Sequence, residues 1–231
     1  MSETRIHISD MTGAATPLST QMDTRIDAAP RRYVWTPSDF LDLGARDAVD
    51  KALQRRAVQG RLRRIDRGFY DRPAINSLTR QPNPPDPRSV IDAVARRDHL
   101  RLLVDGMTAA NDLGFTTAVP AKIVVHTEGR LKPIHLGQMD IVFRPTSPTK
   151  LVWAGRPAMR LVQALHWLRD IEARGDFTAA HLRRLTDLLE DPERGGDLRA
   201  DLAAGFSSLP TWMQDRVRPF IADELARGAT A

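Results

Sequence analysis

A proline-rich segment is the feature that most restricts how this chain can fold. Each proline removes a backbone N–H donor and restricts the residue before it to extended conformations, so neither a regular helix nor a central strand can run through the segment. We therefore predict a semi-rigid linker over residues 73–87, between an N-terminal domain over 18–72 and a C-terminal domain over 88–231. The five prolines are Pro73, Pro82, Pro84, Pro85 and Pro87.

The first residues of the chain carry no apolar periodicity. Residues 1–17 contain Ser, Thr, Gly and Pro, a composition typical of segments that bury no core, and we predict a disordered tail there. The sequence then predicts a short helix from Leu18 to about Ala28, which ends before Pro30.

A compact helical start follows at Thr36. Thr at the N-cap, Pro37 at the first helical position and Asp39 three residues after the cap form a strong helix-start pattern. The pattern predicts a brief helix over 38–43 that ends at Gly44.

A longer helix is predicted over about 45–59, ending at Gly60. Two helices separated by a glycine-containing break are typical of a helix-turn-helix. Five apolar residues of this second helix recur at helical spacing and predict its inward face. They are Ala45, Val49, Ala52, Leu53 and Ala57.

Two short strands are predicted directly after this helix, over 61–65 and 69–70. Asp66-Arg67-Gly68 between them supplies a tight turn, with Gly at the left-handed position. A hairpin in this place would be the wing of a winged helix. The fold class we predict is therefore α+β: an N-terminal winged helix-turn-helix, then a C-terminal α+β domain with a small antiparallel sheet and several helices.

Polar and cationic side chains on the second helix and the hairpin predict a DNA-binding surface, because duplex recognition needs cations for phosphates and polar groups for base edges. One of Arg63 and Arg64 can instead point at the protein, since strand residues alternate in direction. The alternative interpretation is a solvated helix face held by i,i+4 ion pairs. The candidate DNA-binding residues are Arg46, Lys51, Gln54, Arg55, Arg63, Arg64 and Arg67.

Charge is concentrated in the same stretch. Between residues 31 and 72, eleven Arg and Lys side chains stand against six Asp side chains, and this difference equals the formal net charge of +5 of the whole chain. A basic island on a neutral remainder is the electrostatic pattern of a nucleic-acid-binding module.

The C-terminal half alternates predicted strands and helices. Its strands are predicted at 100–104, 122–126, 133–136 and 139–144. Its helices are predicted at 87–97, 108–112, 157–171, 178–189, 197–206 and 211–226.

Enzymatic motifs are not found in the sequence. It has no cysteine, its six histidines lack metal-ligand spacing, and glycine-rich phosphate-binding loops do not occur. We therefore predict no enzymatic activity and no cofactor. Asp140, with Glu128 and Lys132 nearby in sequence, faintly suggests a metal-dependent nuclease, which we keep as an alternative. No early apolar block resembles a signal peptide and no run is long enough for a membrane span, so we predict a cytoplasmic protein without a membrane partner.

Two blocks of sequence carry a family resemblance. The first block holds the runs WTPSDFLDLG (35–44), ARDAVDKAL (45–53) and GRLRRIDRGFY (60–70). The second holds DGMTAANDLG (105–114) and VPAKIVV (119–125). In order and spacing these runs resemble the AbiEi family, the antitoxins of type IV toxin–antitoxin systems, over roughly residues 33–170. The family often has Ser where Ala45 stands, and Ala45 removes a hydroxyl that would cap the helix or contact phosphate.

The resemblance implies a function. It implies a winged helix that binds inverted repeats in operator DNA upstream of its own operon, and a C-terminal domain needed for antitoxicity. The partner it implies is a nucleotidyltransferase-type toxin, and family members differ in whether antitoxin and toxin touch. Our hypothesis is an autoregulating repressor and antitoxin. The alternatives are a toxin-sequestering protein that does not read DNA, and the DNA-targeted nuclease named above.

Overall fold

The computed structural model describes residues 17–118 and 120–228. The chain divides into two compact units, Met1–Asn83 and Pro84–Ala231. The coarse prediction of a mixed α+β protein is confirmed, since both units combine helices with a small sheet. The predicted tail over residues 1–17 lies outside the described residues except for Pro17.

The first unit combines two helices, a short 3-10 helix and a three-stranded antiparallel sheet in the order β1-β3-β2. In chain order its elements are α1 (Leu18–Ala28), β1 (Val34–Trp35), the 3-10 helix Pro37–Phe40, α2 (Arg46–Val58), β2 (Arg63–Asp66) and β3 (Phe69–Asp71). The sequence did not predict β1, because two residues are too few to show an alternating pattern.

The predicted helix over 38–43 is a single 3-10 turn. Its start was predicted correctly: the backbone N–H of Thr36 donates to Asp39 Oδ2 at 2.7 Å, and Pro37 is the first helical residue. The turn ends at Phe40 because so few residues lie before Gly44, and one turn does not offset the cost of nucleating an α-helix.

The core of the first unit lies between α1, α2 and the sheet. Trp35 is the aromatic centre, with ring centroids 4.3 Å from Tyr33 and 4.9 Å from Phe40. The buried residues of this core are Met22, Ile26, Trp35, Phe40, Val49, Ala52, Leu53, Leu62 and Tyr70. The aromatic side chains of Trp35, Phe40 and Tyr70 therefore pack in the interior of this unit.

Most of the predicted linker folds onto the first unit. Residues 74–83 form a closed loop in which Ile75 bridges Pro82, and the backbone N–H of Asn83 donates to the carbonyl of Ala74 at 2.8 Å. The division between the units falls after Asn83, within the proline-rich segment.

The second unit builds a four-stranded sheet with helices before and after it. Its strands are β4 (Leu102–Val104), β5 (Lys122–Thr127), β6 (Ile134–Leu136) and β7 (Met139–Pro145). Its helices are α3 (Pro87–Asp98), α4 (Gly106–Asp112), α5 (Met159–Ala173), α6 (Ala179–Leu189), α7 (Gly195–Ala204), α8 (Thr211–Val217) and α9 (Ala222–Gly228).

The prediction that this sheet is antiparallel is correct for the pairs β4–β5 and β6–β7 and wrong for the central pair, so the sheet is mixed. The strand order is β4-β5-β7-β6, and β5 pairs with β7 in parallel. β6 and β7 form a tight hairpin around Gly137, whose φ is +75°. β7 lies beside β5 and leaves β6 at the edge of the sheet, so the buried residue Ile141 pairs with Ile123 on one side and with Ile134 on the other. Chain order alone favours a meander and does not show which strand is central.

The single helix predicted over 211–226 was also wrong. The chain forms α8, a 3-10 turn over Arg218–Phe220, and then α9. Pro219 lies inside this segment, and its ring and missing N–H interrupt the α-helical hydrogen bonds. Among the described residues, no helix combines the length and the apolar character that crossing a bilayer requires.

Candidate nucleic-acid interface

The helix α2 divides into a buried face and an exposed face. Val49, Ala52 and Leu53 point into the core of the first unit. At 100° per residue, Lys51 and Gln54 lie on the opposite side, where both are exposed. The predicted inward face is thus correct at Val49, Ala52 and Leu53 but wrong at both ends: Ala45 is exposed, and at the C-terminal end Arg56 is buried while Ala57 is only partly buried.

Three of the candidate residues on α2 are exposed with unpaired side chains. Lys51, Gln54 and Arg55 form no side-chain hydrogen bond or ion pair with any residue in the described ranges. They border a shallow open groove whose other walls include the small side chains of Ala45 and Ala48. This face therefore presents polar groups that are free to bind a ligand.

The first candidate, Arg46, has a partner on its own helix. Its Nε donates to Asp50 Oδ2 at 3.0 Å, and both side chains are exposed. An exposed i,i+4 pair contributes little stability, so Arg46 can exchange this carboxylate for phosphate at small cost. The N-cap of α2 is Ala45, and no side chain caps the helix there.

The hairpin places two further cations beside α2. Arg64 and Arg67 are exposed, and neither side chain has a partner among the residues that the structure describes. Arg64 stands opposite Tyr70 in the sheet. Burial raises the pKa of Tyr70, the negative charge of Asp50 on α2 raises it further, and Arg64 opposes both effects. The helix α2 and the hairpin adjoin, because Val49 and Leu53 share one core with Leu62 and Tyr70.

Arg63 is directed into the protein. Its guanidinium makes a two-pronged ion pair with Asp71 of β3, with N–O distances of 2.9 and 2.5 Å, and its Nη1 donates to the carbonyl of Asn83 at 2.7 Å. Only 7% of the Asp71 side chain is exposed. Of the two alternatives for this strand, Arg63 is the residue that points inward and Arg64 the one that points out.

The profile of a family described as "Family of unknown function (DUF6088)" matches residues 21–191. The chain belongs to this DUF6088 family. The match begins within α1 and ends just after α6, so the part of the chain that DUF6088 describes includes elements of both units.

No curated protein matches this DUF6088 chain. A solved structure to which it is similar is the crystal structure of the RV2827C protein from Mycobacterium tuberculosis. The two sequences are 17% identical over 89% of this chain and 80% of the other, with a TM-score of 0.39.

The basic island of the DUF6088 chain, residues 31–72, is partly neutralised by carboxylates, two of which lie on α1 before the island. Asp23 forms ion pairs with Arg56 and Arg61, and Asp27 forms ion pairs with Arg61 and Arg72. Within the island, Asp50 pairs with Arg46 and Asp71 pairs with Arg63. Within the described part of the chain, the island cations that keep free side chains are Arg31, Arg32, Lys51, Arg55, Arg64 and Arg67.

Two of these free cations were not among the predicted site residues. Arg31 and Arg32 are exposed in the turn before β1. Arg32 has a φ of +72°, in the left-handed region that residues with a Cβ rarely adopt. They lie outside the predicted helix and hairpin, and their only sequence signal was the basic island itself.

The residues that suggested a nuclease are engaged in exposed surface pairs. Glu128 accepts from Arg101 at 3.0 Å, and Asp140 contacts His135 Nδ1 at 2.7 Å. Across the described ranges of the DUF6088 chain, no group of three or more His, Asp or Glu side chains is arranged to hold a metal ion.

Proposed function

We propose that the first unit is a winged helix-turn-helix that binds duplex DNA, with α2 in the major groove and the β2–β3 turn against the sugar–phosphate backbone. The observation that carries this proposal is the exposed face of α2. Lys51, Gln54 and Arg55 stand there with free side chains, beside a hairpin that adds Arg64 and Arg67. A helix with one face in the core and unpaired polar groups on the other has the form that base recognition requires.

The chemistry of each side chain suggests its role. Gln54 is central on the exposed face and can pair with the N6 and N7 of adenine, while Arg55 can donate two hydrogen bonds to guanine. Lys51 is a point charge suited to phosphate. Asp47, on the same face in the first turn, can accept from the N4 amino group of cytosine.

The hairpin supplies contacts that do not depend on sequence. Arg67 is exposed in the turn and Arg64 on the strand beside it, where both can neutralise phosphates or enter a minor groove. Arg63 helps to position these two arginines, because its ion pair with Asp71 joins β2 to β3. We therefore assign Arg63 a positioning role in the interface.

The biological role that we propose is that of an antitoxin that represses its own operon. It is supported by the resemblance of residues 33–170 to the AbiEi family, which implies inverted repeats in the operator and a nucleotidyltransferase-type toxin as partner. On this proposal, the first unit binds DNA and the second unit is needed for antitoxicity. A toxin-sequestering protein that does not read DNA is the competing function.

A binding experiment tests the DNA-binding proposal. The full chain is used to select duplexes from a randomised pool, and affinities are then compared for a selected and a mixed-sequence duplex. We expect Arg55→Ala to weaken binding to the selected duplex by about 1–3 kcal/mol, roughly 10- to 100-fold, and to weaken mixed-sequence binding less. The matched control is Arg183→Ala, an exposed arginine of α6 whose binding should equal that of the parent. Failure of the parent to select any sequence would overturn the proposal and favour sequestration.

A separate growth experiment tests the antitoxin role. The full chain is co-expressed with the nucleotidyltransferase-type protein encoded next to it, and colony growth is measured. We expect the parent and the double variant Arg55→Ala/Arg67→Ala to restore growth equally, because unit 2 carries antitoxicity on this proposal. Failure of the parent to restore growth would overturn the antitoxin role and leave DNA binding unaffected.

A further inference from the structure

The loop over residues 74–83 extends from the first unit as an ordered element of its own. The backbone N–H of Asn76 donates to the carbonyl of Gln81, and that of Arg80 donates to the carbonyl of Asn76, each at 2.9 Å. The Asn76 Oδ1 accepts from the backbone N–H groups of Leu78 and Thr79 at 2.9 and 3.1 Å. The loop is therefore already shaped before it meets any partner, and binding would cost it little conformational entropy.

The tip of this loop exposes an apolar side chain. Leu78 is 90% exposed and Ile75, near the base, is 59% exposed. The hydrogen bonds that shape the loop use backbone groups, the Asn76 side-chain oxygen and the Thr79 hydroxyl, so Leu78 makes no contribution to them through its side chain. The neighbours of Leu78 along the tip, Ser77, Thr79 and Arg80, are polar and exposed.

Arg80 occupies a backbone conformation that disfavours it. Its φ is +57°, in the left-handed region where Gly or Asn is usual. Keeping an arginine there places a cation two residues from Leu78, and residues 73–83 contain no acidic side chain. The tip thus combines one apolar side chain and one cation on a rigid support.

The base of the loop lies at a strongly basic end of the sheet. Val34, Asp71 and Arg63 are aligned in register at this end, opposite to the β2–β3 turn. Four arginines flank the strands at this end of the sheet: Arg31 and Arg32 precede β1, Arg61 precedes β2, and Arg72 follows β3. The Asn83 end of the loop is attached to the same place by Arg63, which donates to its carbonyl.

The arginines at this end outnumber the carboxylates near them. Arg61 contacts Asp23 and Asp27 of α1, at 3.0 and 3.4 Å, and Arg72 contacts Asp27 at 3.2 Å, so two carboxylates serve these two cations. Arg31 and Arg32 add two cations without a partner in the described part of the chain. The local excess of positive charge favours a polyanionic partner over an apolar or a basic one.

We infer that residues 74–83 form a second DNA-contacting element, in which Leu78 wedges between base pairs from the minor groove and Arg80 holds the adjacent backbone. A stable protein–protein interface buries about 800 Å² on each partner, which one leucine among polar neighbours does not supply. A wedge needs only one apolar side chain, because a single inserted residue unstacks one base step and kinks the duplex. This inference rests on the proposed function of unit 1.

Fluorescence of 2-aminopurine tests the wedge directly, because its emission rises when the base is unstacked. The full chain is titrated into a selected duplex of about 30 bp in which 2-aminopurine is moved from position to position. We expect emission to rise at one step when the parent binds. Leu78→Ala should abolish that rise and weaken binding about 10-fold. Leu41→Ala is the matched control, because Leu41 is a leucine of the same unit that is 45% exposed. This substitution should leave both readouts unchanged.

Substitution of Arg80 provides a second variant that separates binding from folding. Arg80→Gly removes the cation and suits the left-handed backbone, so the melting temperature should be equal to or higher than that of the parent. The slope of log K against log salt should become shallower by about one, because one phosphate contact is lost.

The outcomes distinguish this inference from the proposed function. If Arg55→Ala weakens binding while the parent gives no emission rise at any position, or Leu78→Ala retains the rise, the wedge is overturned and the recognition helix stands. If the parent selects no DNA at all, both fall together.

Discussion

Arg56 of α2 donates its Nε–H to Asp23 of α1 at 2.8 Å, with 5% of the Arg56 side chain exposed. The same guanidinium donates to the carbonyls of Ala52 and Ser19, at 3.0 and 2.7 Å. One arginine thus joins α1 to the helix that we propose to enter the major groove. Its sequence neighbour Arg55 points outward with a free side chain. Arg56 therefore stabilises the fold, whereas Arg55 is available to bind a ligand.

This contrast predicts opposite phenotypes for the two arginines. Arg56→Met should lower the free energy of unfolding by about 2 kcal/mol, because Asp23 and the carbonyl of Ser19 lose the buried guanidinium, while Asp23 keeps its ion pair with Arg61. Arg55→Ala should change it by less than about 0.5 kcal/mol, since no contact is lost. Urea unfolding of the two variants measures the difference. Equal stability of the two would show that the Arg56 pair does not support the fold.

The N-cap of α2 offers a stabilising substitution. Ala45 has the extended backbone of an N-cap residue, with φ −61° and ψ 147°, but no side chain accepts from the first turn. Ala45→Ser should therefore raise the free energy of unfolding by about 1 kcal/mol. Thermal unfolding followed by circular dichroism measures this, with Ala48→Ser, an exposed position inside the helix, as the control. A gain no larger than that of Ala48→Ser would argue against capping.

Salt dependence separates the roles of two hairpin arginines. Arg67→Ala should weaken binding to selected and mixed-sequence duplexes alike and reduce the steepness of log K against log salt by about one, because it removes one phosphate contact. Arg63→Ala should instead lower stability, since it leaves the buried Asp71 without its two-pronged partner. Titrations at several salt concentrations, paired with urea unfolding, resolve the two effects. An unchanged salt slope for Arg67→Ala would remove Arg67 from the interface.

The stability of the second unit should depend on pH through His126. Burial lowers the pKa of His126, the positive charges of Arg144 and Lys150 lower it further, and Asp105 raises it. Because the folded pKa lies below the ordinary value of 6.5, the unfolded chain binds the proton more readily. The stabilisation is therefore complete above about pH 6.5 and is lost as the pH falls toward the folded pKa.

Urea unfolding at a series of pH values tests this dependence. His126→Gln should flatten the profile between about pH 7 and 5, since the substituted side chain does not titrate. His99→Gln, at an exposed position, is the control and should leave the profile as in the parent. A parent profile that rises as the pH falls through this window would contradict the assignment.

Close packing of α4 on α5 should make Gly106 sensitive to any side chain. A Cβ at this position would lie 2.8 Å from the carbonyl oxygen of Gln163 and 3.0 Å from the Cβ of Trp167. Gly106→Ala should therefore lower the free energy of unfolding by about 2 kcal/mol. Gly196→Ala is the matched control: nothing lies within 4 Å of a Cβ there, and it should be neutral or stabilising. Equal effects of the two substitutions would mean that the α4–α5 contact can adjust.

The sequence by itself determined those features that depend on neighbouring residues. Pro30 marked the end of α1, apolar spacing located most of the buried face of α2, the Thr36–Asp39 pattern located a helix start, and Gly68 located the hairpin turn. The tertiary structure decided which charges remain available: the partner of Arg56 is 33 residues away, and α1 neutralises part of the island from outside it. Likewise, pairing of β5 with β7 and the return of residues 74–83 to the sheet depend on which surfaces meet. Local spacing records the direction in which a side chain leaves its own helix or strand, whereas the partner that it meets there is set by the packing of distant segments.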